Sequence, residues 1–201
     1  MNRKPHWENI YQNKKNDNVS WYQKKPEDSI NLIESFSENK SDKIIDIGCG
    51  AGFLTDNLIK LGFLDITVID ISANAINKLR KRINNKNVNY IENDILSFST
   101  KKTFKIWHDR AVFHFLTKRD DINKYISICN RLIDKSGFLI IGTFSEDGPL
   151  KCSGLDIKRY SVKDLKNLFK DNFRLIKGYK KIHKTPFNSY QSFTFCVLKK
   201  H

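Results

Sequence analysis

The stretch Ile44–Phe53, IIDIGCGAGF, changes character in its middle. A short apolar run suited to a strand buried on both faces gives way to glycine at every second position, and FLTDNLIKLG, 53–62, then repeats its apolar residues at helical spacing. Glycine at a strand-to-helix turn lets the backbone approach a ligand closely, at the carboxyl edge of an α/β sheet. A dinucleotide-binding turn would need its third glycine at position 53, where phenylalanine stands. The spacing runs instead from an acid, Asp46, through Gly48, Gly50 and Gly52, which argues against a pyrophosphate-bearing cofactor.

Outward from this turn, strand-length apolar runs alternate with helical patterns. The strands are KIIDIG 43–48, DITVID 65–70, NVNYIE 87–92, FKIWHD 104–109 and GFLIIGTF 137–144; SANAINKLRKRI 72–83 and DINKYISICNRLI 121–133 supply further helices. Such alternation builds βαβ units around a parallel sheet. PEDSINLIESF, 26–36, predicts a helix with Ile30, Ile33 and Phe36 as its apolar stripe. Past residue 145 come a long loop, a helix over about 161–171, and an antiparallel hairpin of FRLIKGYKKIH and SFTFCVLKK joined by the turn-prone KTPFNS. At 201 residues the chain is expected to form one domain.

The formal net charge is +14, but it comes from 28 lysines against 8 arginines, scattered over every segment. Readers of nucleic acid cluster arginine with aromatic residues, because the guanidinium fork binds phosphate and guanine at two points. A solvated basic surface, not a nucleic-acid partner, is therefore the expectation. No apolar run approaches the roughly 20 residues of a membrane span, and the N-terminus lacks a signal-peptide core, so a cytoplasmic protein is expected. Cys49, Cys129, Cys152 and Cys196 lie 80, 23 and 44 residues apart, with no C-x-x-C pair to imply zinc or a redox dithiol. Cys152, in a polar loop, is the thiol to watch.

The pattern acid-x-Gly-x-Gly-x-Gly resembles the first motif of class I S-adenosylmethionine-dependent methyltransferases. That likeness implies a Rossmann-like fold of seven strands, mostly parallel with one antiparallel strand, and S-adenosyl-L-methionine as cofactor. It implies that Asp46, Gly48 and Gly50 meet the amino-acid end of the cofactor, that Asp70 in VIDIS accepts the ribose hydroxyls, that Asp94 in ENDIL takes the adenine amino group, and that Ile71 and Ile95 sandwich the base. Taken singly, each acid also suits a helix cap. The segments HWENIYQNK, SWYQ, WHDRAVFHFLT, TFSEDGPLKCSGL, RYS and HKTP further resemble a bacterial group of small class I methyltransferases, over nearly the whole chain. Trp7-x-x-x-Tyr11 and Asp109-Arg110-Ala111-Val112-Phe113 are also similar to Trp-x-x-x-Tyr and Asp-Lys-Gly-Thr-Phe in methyltransferases that modify protein lysines. Cys49-Gly50-Ala51-Gly52 departs from the Gly-Gly-Gly-Asp-Ser form expected in many bacterial relatives.

In such folds the segment after the fourth strand passes beside the transferable methyl group, so WHDRAVFHFL, 107–116, is placed in the active site, with Asp109 at the sheet's carboxyl edge. Asp109, Arg110, His114 and Tyr160 are the catalytic candidates, Arg110 being as readily the partner of Asp109 in an ion pair. Trp7 and Tyr11, four apart on one helical face, with Trp21 and Tyr22 are expected to form a lid whose aromatic faces favour a sulfonium and exclude water. Residues 1–37 are read as this helical lid and 145–160 as a substrate loop, with Arg159 and His183 as further wall residues. A small methyl acceptor is expected, and a thiol or hydrogen sulfide first, because a thiol of pKa near 8.5 is a few per cent ionised at neutral pH without a dedicated base. A protein lysine, an RNA base, and a non-catalytic cofactor-binding module are the alternatives. Sequence leaves the oligomeric state open.

Overall fold

The computed structural model describes residues 3–201. Helix α1, Lys4–Asn13, and α2, Glu27–Phe36, precede β1, Ile44–Ile47. There follow α3, Leu54–Lys60, β2, Ile66–Asp70, α4, Ala73–Ile83, β3, Val88–Glu92, and β4, Phe104–Arg110. The second half holds α5, Arg119–Leu132, β5, Ile133–Phe144, a short hairpin of β6, Lys151–Cys152, and β7, Leu155–Asp156, then α6, Val162–Phe169, β8, Phe173–Lys184, and β9, Tyr190–Lys200.

Seven strands form one sheet in the order β3-β2-β1-β4-β5-β9-β8, in which β9 alone runs antiparallel to its neighbours. The chain works outward from β1 to β3, then returns to the other side of β1 at β4, and this reversal opens a crevice at the carboxyl ends of β1 and β4. Side chains alternate across the strands. Ile45, Ile47, Trp107, Leu139 and Ile141 face α5 and α6; Ile44, Ile66, Val68, Ile106 and Ile140 face α2, α3 and α4. The seven-residue α3 is too short to hold itself, and the burial of Leu54 and Leu58 fixes it. Helix α4 starts where the Ser72 hydroxyl accepts from Ala75 N and stops at left-handed Asn84; α6 starts with a capping box between Ser161 and Asp164.

Three expectations shift. Strand β5 begins at Ile133 rather than near Gly137, because α5 runs straight into it and an irregularity in its pairing with β4, with Ser136 left-handed, absorbs the extra residues. The loop after residue 145 contains the β6–β7 hairpin, closed through Ser153 and Gly154, both at positive φ. Helix α2 differs from a lid: Ile30, Leu32 and Ile33 sit in the core against the sheet, and it reaches the crevice through Ser29, while α1 and the segment 14–25 supply most of the other N-terminal wall residues. Among the described residues, no helix is long and apolar enough to cross a membrane.

Candidate active site

The glycine turn is built for close contact. Gly48 and Gly50 have φ of +64° and +55°, and a Cβ on Gly48 would collide with Val112, one on Gly50 with the Tyr11 hydroxyl. Gly48 N and Cys49 N both donate to Ile69 O, at 2.8 and 3.2 Å, which pins the turn to β2. Asp70, at the end of β2, accepts from Gly50 N and Ser72 N, each at 2.9 Å, and burial still pushes its pKa up to about 6. Each of its oxygens keeps a free lone pair. Asp94, after β3, accepts from Leu96 N at 2.9 Å and caps a short 3-10 turn that carries Ile95.

These residues line two small cavities. One, of about 110 Å³, is lined by Asp70, Ile71, Asp94 and Ile95 together with Trp7, Trp21 and Arg110. The second, of about 90 Å³, lies over the glycine turn against Asp46, Ser29, His108 and Tyr22. Tyr11, Trp21, Gly48 and Arg110 belong to both. The set fits an adenosyl cofactor: acids at the ends of adjacent strands, an apolar slot of two isoleucines, and a glycine cradle. Each is smaller than the roughly 300 Å³ of a typical cofactor site, and Tyr11 and Trp21 stand in the wall of both.

Helix α1 is tied down across this crevice. The Glu8 carboxylate accepts from Ser72 Oγ (2.8 Å), Ala73 N (2.8 Å) and Asn74 N (3.1 Å), placing a negative charge on the amino end of α4. Trp7 packs against Trp21 and Phe115 with ring centroids 5.8 and 5.2 Å apart, and Asn16 Nδ2 donates to Ala51 O. Arg3 reaches Asp121 and Lys4 reaches Glu92.

Strand β4 divides the expected catalytic residues. Asp109 points away from the crevice, fully buried on the α5 side, where it accepts from Tyr125 Oη (2.6 Å), Val112 N (3.0 Å) and Phe113 N (3.2 Å). Burial raises its pKa to about 6. Arg110, next along the strand, points to the other face, so the anticipated ion pair does not form. Its Nη1 donates to Trp21 O at 3.2 Å, its Cζ lies 5.0 Å from the Phe193 ring centroid, and its enclosed Nη2 has no partner among the described residues. Burial lowers its pKa to about 10.

His114 and Tyr160 also fall outside the crevice. His114 is packed between Phe115 and Phe144, its Nδ1 accepts from Phe144 N at 3.3 Å, and burial, with Arg110 nearby, lowers its pKa to about 3. Tyr160 lies against Phe113 in the α5–α6 core layer, 2% exposed, and burial raises its pKa well above the usual phenol value; neither side chain lines the two cavities of the crevice. Of the 145–160 loop, Cys152 reaches the adenosyl-side cavity, its thiol pushed up to about 12 by burial; Arg159 turns back to Gly148 O. His183 donates to or accepts from nothing in the crevice itself; its Nε2 meets Ser20 O at 2.8 Å.

One residue of the site was missed. His108 joins Asp46 Oδ1 through Nδ1 (2.7 Å) and Ser29 Oγ through Nε2 (2.8 Å), all three buried and on the wall of the smaller cavity. The parallel pairing of β1 with β4 sets Asp46 opposite His108. Pairing the two acid-bearing strands in sequence would have raised it.

A protein family described as "Methyltransferase domain" matches residues 38–195. The chain is 29% identical over 117 residues to malonyl-[acyl-carrier protein] O-methyltransferase of Bacillus anthracis, a match covering 58% of this chain and 42% of that one. It is 33% identical over 129 residues to EEF1A lysine methyltransferase 2 of Mus musculus, covering 57% and 52%. The chain thus spans about half, or less, of these relatives' length. In fold it superposes on the N-methyltransferase NodS of Bradyrhizobium japonicum, solved with S-adenosyl-L-homocysteine, with a TM-score of 0.77 and 17% identity over 100% of this chain and 99% of that one. With the glycine turn, the strand order and the acids at the strand ends in agreement, the chain belongs to the methyltransferase-domain family of class I S-adenosylmethionine-dependent enzymes.

Proposed function

We propose that this protein methylates a small thiol or hydrogen sulfide at sulfur. The observation that carries this is Arg110, an enclosed guanidinium with an unpartnered Nη2 in the wall of both cavities, while His108, the imidazole lining the smaller one, is engaged at both nitrogens. A cation beside an imidazole already engaged at both nitrogens suits a nucleophile that ionises by itself, as a thiol does.

Asp70 holds the ribose hydroxyls, Asp94 the adenine amino group, and Ile71 and Ile95 the faces of the base. The glycine turn and Asp46 take the methionyl end, and His108 with Ser29 holds the Asp46 carboxylate in place. Trp7, Tyr11, Trp21 and Tyr22 cover the sulfonium and keep water out. The bound cofactor supplies an electrophilic methyl group. Arg110 would hold the acceptor, whose thiol gives its proton to solvent, facing the methyl group that S-adenosylmethionine would supply; the products would be a thioether and S-adenosylhomocysteine. Charge cancels as the methyl moves, and orientation in a dry pocket provides most of the acceleration.

A protein lysine is the second reading, favoured by the Trp7-x-x-x-Tyr11 spacing and the 33% identity to the mouse lysine methyltransferase. Methyl-labelled cofactor offered with methanethiol, sulfide, larger thiols, a lysine-bearing protein extract and transfer RNA separates these. Labelled thioether by gas chromatography is expected; label in protein or RNA with none in any thiol overturns the thiol reading.

A further inference from the structure

A third cavity, of about 420 Å³, opens on the far side of Arg110, between residues 22–28 and the β8–β9 hairpin. Arg110 lines it as well as both cofactor-side cavities, so a group held by Arg110 sits at the junction between the methyl donor and this space. We infer that the third cavity binds the acceptor and that Arg110 Nη2 holds a carboxylate on it, making the acceptor a short-chain thiol acid.

Charge in the wall supports an anion. Lys24, Lys25, Arg110, Lys181 and Lys184 face Glu27 and Asp28, and both carboxylates are already engaged, Glu27 by Lys25 at 3.5 Å and Asp28 by Lys181 at 3.6 Å and Tyr179 Oη at 3.4 Å. None of the ion pairs formed among the described residues includes Arg110. Asp28 and Asp46 offset part of the cost of burying the guanidinium, but neither contacts it, and its charge is felt by its neighbours: after burial, it is the next cause that lowers both His114 and His183. A buried guanidinium with no carboxylate in contact is costly, and a ligand carboxylate would lower that cost through a charge-assisted bond.

The geometry also fixes the ligand's size and type. Nη1 donates to Trp21 O, and Nη2 is the guanidinium nitrogen left unpartnered in the interior, enough for a carboxylate. Phe193 and Phe195 offer an apolar wall beside it for a short alkyl chain. Because Arg110 also borders the cofactor cavities, the carboxylate lies few bonds from the reacting sulfur.

This inference names the substrate class of the transfer proposed above, but carboxylate binding is tested without turnover. Saturated with S-adenosylhomocysteine, the protein is titrated with 3-(methylthio)propionate and with uncharged methyl butyl sulfide, followed by calorimetry. The wild type is expected to prefer the carboxylate by about tenfold or more, and Arg110→Met to lose that preference while binding S-adenosylhomocysteine within about threefold of wild type. Equal affinity for the two sulfides in the wild type overturns the inference, and needs no variant to fold. So does an Arg110→Met variant that loses S-adenosylhomocysteine instead, which would assign Arg110 to the cofactor's own carboxylate. Turnover separates the two proposals. A carboxylate preference with no methyl transfer to 3-mercaptopropionate or 1-butanethiol sinks the thiol reaction and leaves the anion site; equal transfer to both in the wild type sinks the anion site and leaves the thiol reaction.

Discussion

Acidification should release the cofactor through one group, Asp70. Burial raises its pKa to about 6, against about 3.9 for an exposed aspartate, although bonds from Gly50 N and Ser72 N pull the other way. The sign of the effect differs between folding and binding. A raised carboxyl pKa adds stability that is fully present below about pH 4 and is lost as pH rises through 6, about 3 kcal/mol in all. Ribose hydroxyls need the ionised form, so binding works against that preference. At pH 5 only about a tenth of Asp70 is ionised, and affinity for S-adenosylhomocysteine should be about tenfold weaker than at pH 7.5. Asp70→Asn removes the titration: its affinity should lie about ten- to a hundredfold below wild type at pH 7.5 and change far less on acidification. Calorimetric titration of both proteins from pH 5.0 to 7.5, with circular dichroism confirming the fold at each pH, reads this directly. A wild-type affinity that is flat across the window, or an Asp70→Asn variant that keeps the wild-type slope, refutes the assignment of Asp70 to the ribose.

Asp109→Asn should lose none of the turn's acceptor capacity towards Val112 N and Phe113 N but abolish a second titration near 6. The stability of wild type relative to this variant, from urea unfolding, should therefore fall by about 2 kcal/mol between pH 4.5 and 7.5, and a constant difference would contradict it. Gly50→Ala should cut S-adenosylhomocysteine affinity, whereas Gly62→Ala, at φ +86° with nothing within 4 Å of the added Cβ, should lower the melting temperature with affinity unchanged; equal effects on binding would mean that only backbone strain matters. Glu8→Gln weakens the clamp of α1 on α4, so stopped-flow tryptophan fluorescence should show faster S-adenosylhomocysteine release than wild type; an unaltered rate would remove α1 from the path.

The parts of the site legible in the sequence are those that a short stretch determines. Asp46, Gly48, Gly50, Asp70 and Asp94 sit where strands end, and a strand end is marked locally by an apolar run meeting glycine or a helix pattern. The register between strands is not marked that way. His108 lies 62 residues from Asp46 and 79 from Ser29, and only the parallel pairing of β1 with β4, with α2 laid on the same face, brings the three together. His114 and Tyr160 looked available because both are polar and near the crevice in sequence. The aromatic packing that encloses them, from Phe113, Phe115 and Phe144, comes partly from β5, thirty residues on, and nothing local announces it. The same applies to α2, whose amphipathic stripe predicts burial without saying against what.

Strand β4 shows how one run of residues serves two purposes by alternation alone. Trp107 and Asp109 face α5, where Trp107 Nε1 donates to Tyr125 Oη at 3.0 Å and Tyr125 donates on to Asp109. His108 and Arg110 face the crevice. Immediately beyond, Ala111 is held at φ +71°, a conformation that costs an alanine roughly 1–2 kcal/mol. The bonds from Val112 N and Phe113 N to Asp109 hold the turn in that shape, and Ala111 N reaches Gly142 O at 2.8 Å. The bonds from Tyr125 Oη, Val112 N and Phe113 N favour the ionised form of Asp109 against burial, and in return they secure the backbone next to Arg110. Arg110→Met removes the charge proposed to hold the acceptor, whereas Asp109→Asn keeps the oxygen that accepts from Val112 N and Phe113 N. Asp109→Asn should accordingly keep the carboxylate preference that Arg110→Met abolishes, although the two residues are neighbours in the chain.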